Sequence, residues 1–242
     1  MTASHPLDRP IWSALNSVHA HLAEGGERAR RYRSEIGIFT AAVDETDASL
    51  AALGALLRPG ERTVALQVPE IPTLDGIETE RSHGVQMWLP QRIEIGADRT
   101  DIIALDERHV DEMCALAWAT NPGPFMPGSL ALGRFFGIRR DGRLVAMAGE
   151  RMATPDFVEV SGVCVDPDFR GHGFAARLSA CVAETIQQRG RTPFLHAWHT
   201  NYGAIALYRK LGFALRRDIH ITVFSRAGQT PSRSSSASTA PA

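Results

Sequence analysis

One stretch of the sequence is more informative than any other: Val163-Cys164-Val165-Asp166-Pro167-Asp168-Phe169-Arg170-Gly171-His172-Gly173-Phe174-Ala175-Ala176-Arg177-Leu178. It has the order strand, proline turn, glycine pair, helix. A helix that starts in this way points several backbone N–H groups at one spot, and its dipole adds partial positive charge there. Gly171 and Gly173 let the backbone approach an anion without an intervening Cβ, and Arg170 can add a charge-assisted contact. The stretch therefore predicts a turn that binds a pyrophosphate.

The same residues also satisfy a loose dinucleotide fingerprint, because Gly171, Gly173 and Ala176 have its spacing. A Rossmann fold would need an acidic residue about twenty positions further on, where this chain has Arg189 and Arg191. Those arginines suit NADP, but too few strand–helix units follow the turn for a doubly wound sheet. An NADP-linked oxidoreductase and an ordinary glycine turn without a ligand are the two alternatives.

Strands are predicted on the N-terminal side of this turn. Residues 135–138 and 144–148 flank an Asp141-Gly142 pair, and Asp-Gly between apolar runs is typical of an antiparallel hairpin. A third strand is predicted from Phe157 to Val165.

A second motif follows the predicted helix and the next strand: Asn201-Tyr202-Gly203-Ala204-Ile205-Ala206-Leu207-Tyr208-Arg209-Lys210-Leu211-Gly212-Phe213. Together with the glycine turn and the hairpin, it resembles the GNAT superfamily of N-acetyltransferases in order and spacing. The resemblance covers roughly half of the chain. Within the superfamily the sequence looks most similar to the branch that includes the glycine N-acyltransferases.

The resemblance implies an α/β (α+β) fold, with a GNAT-like mixed, mostly antiparallel sheet flanked by helices and an additional N-terminal α/β subdomain. It implies an acetyl-CoA-dependent N-acyltransferase that transfers an acetyl group to an amine by direct attack in a ternary complex. A CoA-binding regulatory module without catalysis is a further alternative. The cofactor-binding residues carried over from the family are Val163, Cys164 and Val165 for the pantetheine arm, Arg170, Gly171, His172, Gly173, Phe174 and Ala175 for the pyrophosphate, and Asn201, Ala204 and Tyr208 for the far wall. A plain helix N-cap is the other interpretation of Asn201.

Three side chains are candidates for the chemistry. Tyr208 matches the family position whose phenol protonates the leaving thiolate, although a packed aromatic residue is the other interpretation. An alkylammonium must lose a proton before it attacks, and Glu159 is the first candidate for the base, with a solvated strand residue as the alternative. Glu150 is the second candidate and is expected across the same cleft, although a bulge in either strand would reverse its direction. Cys164 lies in an apolar strand without a partner base, so no acyl-enzyme is expected.

Outside the motifs, the sequence predicts a domain division. Residues 1–100 are expected to form an α/β subdomain of open role, which could be a degenerate copy of the same fold, residues 101–226 the GNAT-like domain, and residues 227–242 a disordered tail. Within the first part, helices are expected over residues 12–22 and 47–57, and strands over 64–68, 85–89 and 93–95. The basic run 28–33 is interpreted as a solvated surface.

The composition limits the partners. The chain has 242 residues, and its 26 basic side chains nearly cancel 27 acidic ones, so neither nucleic acid nor a membrane surface is expected as a partner. Three separated cysteines and the absence of a signal segment predict a cytoplasmic protein. The histidine pairs 19/21 and 196/199 form no ligand face, so no metal is expected. The acceptor stays open among small-molecule amines, amino acids and protein amines, as does a homodimer.

Overall fold

A computed structural model describes residues 5–92 and 99–227 of the chain. The helices in chain order are α1 (Pro10–Leu15), α2 (Asp47–Leu56), α3 (Val110–Thr120), α4 (Phe174–Gln188) and α5 (Tyr202–Lys210). The strands are β1 (Ala23–Gly25), β2 (Ala29–Tyr32), β3 (Thr40–Ala42), β4 (Arg62–Gln67), β5 (Glu78–Trp88), β6 (Ile102–Leu105), β7 (Phe135–Arg140), β8 (Arg143–Ala153), β9 (Phe157–Val165), β10 (Thr192–Trp198) and β11 (Ala214–Ser225).

Eight of these strands form one sheet in the order β4-β11-β5-β10-β9-β8-β7-β6, and β1, β2 and β3 form a small second sheet. Neighbours in the large sheet are antiparallel, except that β9 and β10 run parallel. The crossover between these two strands contains α4, as a parallel connection requires. The predicted mixed, mostly antiparallel sheet flanked by helices is therefore confirmed.

The large sheet runs through the expected boundary at residue 100. Strand β5, from the first hundred residues, lies between β10 and β11, and β4 pairs with the other edge of β11. The division into two domains stays a prediction, and these pairings link its two parts by backbone hydrogen bonds. Sequence patterns could not indicate them, because pairing partners separated by more than one hundred residues leave no local signal.

The first hundred residues differ from expectation in two places. The helix expected over residues 12–22 is shorter, because α1 ends at Leu15 and only a 3-10 turn, Ala20–Leu22, follows. The basic run contains β2, and Arg31 within it is only 2% exposed and paired with Glu61. The solvated-surface interpretation was therefore wrong for Arg31. The strand expected over residues 93–95 and the tail beyond residue 227 lie outside the described residues.

Apolar packing covers both faces of the central strands. On one face, Val158 and Val160 of β9 pack with Leu178 and Val182 of α4. On the other face, α3 covers Met147 and Cys164. Burying a side chain of this size contributes about 1.5–3 kcal/mol, so β9 is held firmly between its two layers.

Two irregularities in the pairing of β8 with β9 set the directions of side chains. Between Met147↔Cys164 and Gly149↔Ser161, β9 has one extra residue, and Gly162 there has a φ of 62°. Between the pairs at Glu150 and Ala153, the extra residue is in β8 instead. Bulges of this kind re-aim side chains next to active sites.

Candidate active site

A V-shaped gap opens between β9 and β10. The two strands pair only from Thr192↔Phe157 to Phe194↔Glu159. Beyond that point β10 continues along β5, while β9 continues along β8. In the described part of the chain, the edge of β9 beyond Glu159 that faces β10 therefore has no partner strand. Its backbone groups can pair with an extended ligand, as a peptide pairs with a sheet edge.

The glycine turn lies at the open end of this gap. Gly171 and Gly173 have φ values of 82° and 76°, in the left-handed region that favours glycine. Gly173 is the N-cap of α4 and makes no side-chain cap, and a Cβ at either glycine would point into open space. The first N–H groups of α4 thus face outward without helical partners. Of the predicted residues, this turn holds Arg170, Gly171, His172, Gly173, Phe174 and Ala175.

The His172 ring folds back on the turn. Its Nδ1 lies 3.1 Å from the carbonyl oxygen of Phe169 and 3.0 Å from that of Arg170, so Nδ1–H donates to the backbone. The ring also stacks on Phe174. The His172 side chain thus supports the shape of the turn.

Helix α5 forms the other side of the gap. Asn201 is its N-cap, and the side-chain Oδ1 accepts a hydrogen bond of 3.1 Å from the N–H of Ala204. The helix-cap interpretation of Asn201 is therefore correct, and its contact with a cofactor stays a prediction.

Tyr208, one of the predicted catalytic residues, is 9% exposed, with its ring edge-on to Phe213. Burial, followed by the charge of Glu159, raises the pKa of Tyr208 to about 12. Within residues 5–92 and 99–227, its hydroxyl has no hydrogen-bond partner. Among the described residues, the Tyr208 hydroxyl is thus a protonated group that can donate its hydrogen bond to a ligand.

Glu159 lies at the apex of the gap and is fully buried. Its carboxylate accepts hydrogen bonds of 2.7 and 2.6 Å from Arg151 and one of 2.7 Å from Nδ1 of His196. Burial alone would raise its pKa, but the charge and hydrogen bonds of Arg151, with the hydrogen bond from His196, lower it to about 2. The solvated-residue interpretation of Glu159 was wrong. A carboxylate this acidic and this fully engaged is a weak base.

Gln86, which belongs to the first hundred residues, contacts the imidazole of His196 and indicates its tautomer. Gln86 is buried on β5, and its Nε2 lies 3.0 Å from Nε2 of His196 and 2.8 Å from the carbonyl oxygen of Leu7. Its Oε1 accepts from Arg216 at 2.8 Å, which fixes the orientation of the amide. Nε2 of His196 is therefore the acceptor, and Nδ1–H donates to Glu159.

Glu150 points away from this apex. It is paired across the strands with Val160, which faces α4, so Glu150 faces α4 and Glu159 faces the opposite side. Its carboxylate forms an ion pair with Arg189 at the C-terminal end of α4. The sequence left the facing of the two glutamates undecided, and in the structure they face opposite sides, because β8 has an extra residue between Glu150 and Ala153.

Cys164 is buried beside α3, and burial raises the pKa of its thiol to about 11. A thiol in that state is a poor nucleophile at neutral pH. Within the described ranges, no group of three or more His, Cys, Asp or Glu side chains could hold a metal ion. No helix found there is long and apolar enough to cross a membrane.

The comparisons with known proteins agree with this geometry. A family model described as FR47-like protein matches residues 135–222, which run from β7 into β11 and include the gap, the turn and α5. No curated protein gives a significant match.

Solved structures are similar over most of the chain. An acetyltransferase assigned to the GNAT family, from Novosphingobium aromaticivorans DSM 12444, is 38% identical, with a TM-score of 0.87 over 93% of this chain and 100% of its own. A GCN5-related N-acetyltransferase from Kribbella flavida shares the fold at 18% identity and a TM-score of 0.61, over 93% and 98% of the two chains. A GCN5-related N-acetyltransferase-like protein from Streptococcus suis 89/1591 does so at 16% and 0.59, over 90% and 96%. The chain therefore belongs to the GNAT family of acetyltransferases.

Sequence reasoning missed three members of the apex. Arg151 is a charged residue in an apolar strand that faces Glu159 across a hairpin, and that pattern could have indicated the pair. His196 was considered only as a metal ligand. Gln86 gives no signal, because its partners are distant in sequence.

Proposed function

We propose that this protein is an N-acetyltransferase that uses acetyl-CoA and transfers the acetyl group directly to an amine in a ternary complex. The observation that carries the proposal is the free edge of β9, which leads from the glycine turn of α4 towards the apex beside Tyr208. A pyrophosphate suits the turn, and an extended amide-bearing arm suits the strand edge.

The contacts to CoA are proposed at the positions that the sequence indicated. Val163, Cys164 and Val165 would pair with the pantetheine arm through their backbone. Arg170, Gly171, His172, Gly173, Phe174 and Ala175 would surround the pyrophosphate, and Asn201, Ala204 and Tyr208 would line the opposite wall. The fit is supported by the two left-handed glycines, whose backbone an anion can approach closely.

In the transfer step, the amine nitrogen forms a bond to the thioester carbon, the nitrogen then gives up a proton to solvent, and the carbon–sulfur bond breaks as the thiolate leaves. A backbone N–H on the free edge of β9, where the thioester lies beside the apex, would stabilise the oxyanion that forms between these events. Tyr208 would donate a hydrogen bond to the departing thiolate.

The acidity of Tyr208 limits its role. Its pKa of about 12 is well above that of a thiol, which is ~8.5 for the cysteine reference. Complete proton transfer to the thiolate is therefore unfavourable by several kcal/mol, since each pKa unit corresponds to ~1.4 kcal/mol. We propose that Tyr208 acts as a hydrogen-bond donor, and that solvent supplies the proton after the thiolate has left.

Neither candidate glutamate is free to act as the base. Glu159 and Glu150 are both tied into ion pairs, and Glu150 faces away from the gap. We therefore propose that the amine loses its proton to solvent before it attacks, and that Glu159 fixes the apex. A Glu159→Gln variant that retains activity at high pH and loses it only near neutral pH would restore Glu159 as the base.

We propose an amino acid or another small-molecule amine as the acceptor. Similarity to the glycine N-acyltransferase branch favours an amino acid or another small-molecule amine over a protein amine. A panel of such amines, assayed with acetyl-CoA by thiol release, tests the activity.

Calorimetry with acetyl-CoA and with NADP tests the cofactor. We expect acetyl-CoA to bind and NADP not to bind. Tight NADP binding without CoA binding would overturn the proposed function. Binding of CoA without turnover on any amine would favour a regulatory module instead.

A further inference from the structure

Trp198, the last residue of β10, is an aromatic residue that the protein leaves half-exposed. It is 50% exposed, and its partner on β5 is Gly84, which has no side chain to cover it. Among residues 5–92 and 99–227, the indole contacts no other ring and its N–H has no hydrogen-bond partner. A large ring with a free donor is typical of residues that contact a ligand.

The alternation of side chains along β10 places Trp198 on the apex side of the sheet. Leu195 and Ala197 pack in the core beside α4, whereas His196 between them points the other way and donates to Glu159. Because side chains alternate along a strand, Trp198 shares the side of His196. At this position β10 has already separated from β9, so Trp198 lies at the open end of the gap.

Aromatic rings also lie on the β9 side of this face. Phe135 lies against the bulge of β9, since a Cβ on Gly162 would be 3.3 Å from its Cε1. Phe125, half-buried in the loop after α3, is edge-on to Phe135 with 5.5 Å between ring centres. Both rings pack in the cluster beneath α3, on the side of the sheet opposite to α4. Aromatic residues therefore flank the gap on the face that the Glu159 side chain shares.

The arginines on this face already have carboxylate partners. Arg151 is paired with Glu159, and Arg216 is paired with Asp8, and both guanidinium side chains are largely buried. A carboxylate on the acceptor would have to compete with these partners for a counter-charge. A flat apolar group on the acceptor, in contrast, gains from contact with an exposed aromatic ring. The face thus favours an amine that carries a ring and no acid group.

We propose that Trp198 determines acceptor specificity by stacking on an aromatic ring of the acceptor, so that the preferred substrate is an arylalkylamine without a carboxylate. This inference rests on the proposed function, which places the thioester beside the apex. Trp198 is two residues from His196, about 6.6 Å along the strand. That distance is roughly the reach of an amine joined to a phenyl ring by a short alkyl chain, so a ring stacked on Trp198 leaves its amine beside the apex.

The test compares kcat/KM of the full chain, with acetyl-CoA, for 2-phenylethylamine, 2-cyclohexylethylamine and phenylalanine. In the wild type we expect 2-phenylethylamine to exceed each of the other two by about three- to tenfold, the range typical of an aromatic pair. Trp198→Leu should bring the ratio of the two ethylamines close to one by raising KM for 2-phenylethylamine. Its kcat and the dissociation constant of CoA should change little, since stacking acts equally before and during the transfer. Trp198→Phe should retain the preference.

The matched control is Trp118→Leu. Trp118 is 88% exposed on α3, outside both strands of the gap, so its loss should leave the ratio as in the wild type. An unchanged ratio in Trp198→Leu would overturn the inference, and weaker CoA binding in that variant would place the indole on the cofactor instead. A wild type that acetylates other amines, phenylalanine included, in preference to 2-phenylethylamine would overturn the inference and leave the proposed function standing. If the wild type acetylates no amine, the proposed function fails and the inference fails with it.

Discussion

The two ends of the gap between β9 and β10 are built in different ways. The turn at the open end is local: one continuous segment supplies it, its backbone faces outward, and no side chain caps it. The apex is non-local, because Arg151, Glu159, His196 and Gln86 come from four strands and are joined by hydrogen bonds. The turn is thus open to a ligand, for which we propose an anion, whereas the apex is held in shape by its own hydrogen bonds.

This difference predicts where substitutions act. At the apex, removing one partner leaves a buried charge unpaired, so folding should be affected first. At the turn, the same kind of change should affect ligand binding with little cost in stability. The following variants test that separation, beginning with the largest expected effect.

Arg151→Met should destabilise the fold by about 3–5 kcal/mol, because it leaves the carboxylate of Glu159 buried without its counter-charge. Denaturant unfolding measures the loss. The control is Arg33→Met, which removes an exposed ion pair with Glu35 and should cost no more than ~1 kcal/mol. Equal losses in the two variants would contradict the importance given to the apex.

The dependence of folding stability on acid pH also tests whether the Glu159 carboxylate stabilises the apex. The pKa of Glu159 in the folded state, about 2, lies below its value of 4.5 in a model compound. Its contribution to stability is therefore present above pH ~4.5 and is lost as the pH falls towards 2. Glu159→Gln should show a smaller fall in stability over that interval than the wild type, measured by unfolding at each pH. An identical acid dependence would show that the carboxylate is not stabilised as described.

Gly173→Val should weaken CoA binding by about 100-fold, because it strains the left-handed N-cap and costs roughly two hydrogen bonds to the pyrophosphate. Calorimetry measures the dissociation constant. Gly190→Val is the matched control, since its φ is 74°, a Cβ there also meets nothing, and it lies at the far end of α4. If both variants bind CoA equally, the turn is not the phosphate site.

The same contrast explains what the sequence could predict. The turn, the N-cap at Asn201 and the hairpin before β9 depend on residues within a few positions of one another, and each was predicted. The direction of Glu150 depends on bulges in β8 and β9, which no alternation pattern shows. The placement of β5 beside β10, and of Gln86 beside His196, arises from pairing across more than one hundred residues.

Gln86→Met tests whether the first hundred residues contribute to the apex. The change keeps the length of the side chain but removes the donors to His196 and Leu7 and the acceptor for Arg216. Leaving buried polar groups unsatisfied should cost about 1–3 kcal/mol in stability. NMR of the imidazole nitrogens should show a shifted Nε2 signal of His196, because the hydrogen bond donated by Gln86 is gone while Nδ1–H stays on Glu159. An unchanged Nε2 signal would separate Gln86 from the apex.

Tyr208→Phe should have the smallest effect on the protein and act on turnover alone. The hydroxyl bonds to no group in the described part of the chain, so its removal should change stability by less than about 0.5 kcal/mol. One hydrogen bond to a developing thiolate is worth about 10- to 30-fold in kcat, while the dissociation constant of CoA should change little.

The pH profile identifies the role of that hydroxyl. A donor with a pKa of about 12 stays protonated across the assay range, so the ratio of wild-type to variant kcat should be flat from neutral pH to pH ~10. If Tyr208 instead transferred its proton, the ratio should narrow as the pH rises and the thiolate leaves without assistance. Equal turnover of the two proteins at every pH would show that the Tyr208 hydroxyl has no catalytic role and that its ring only lines the gap. Stabilisation of the transition state at the apex of the gap would then come from the backbone of β9 alone.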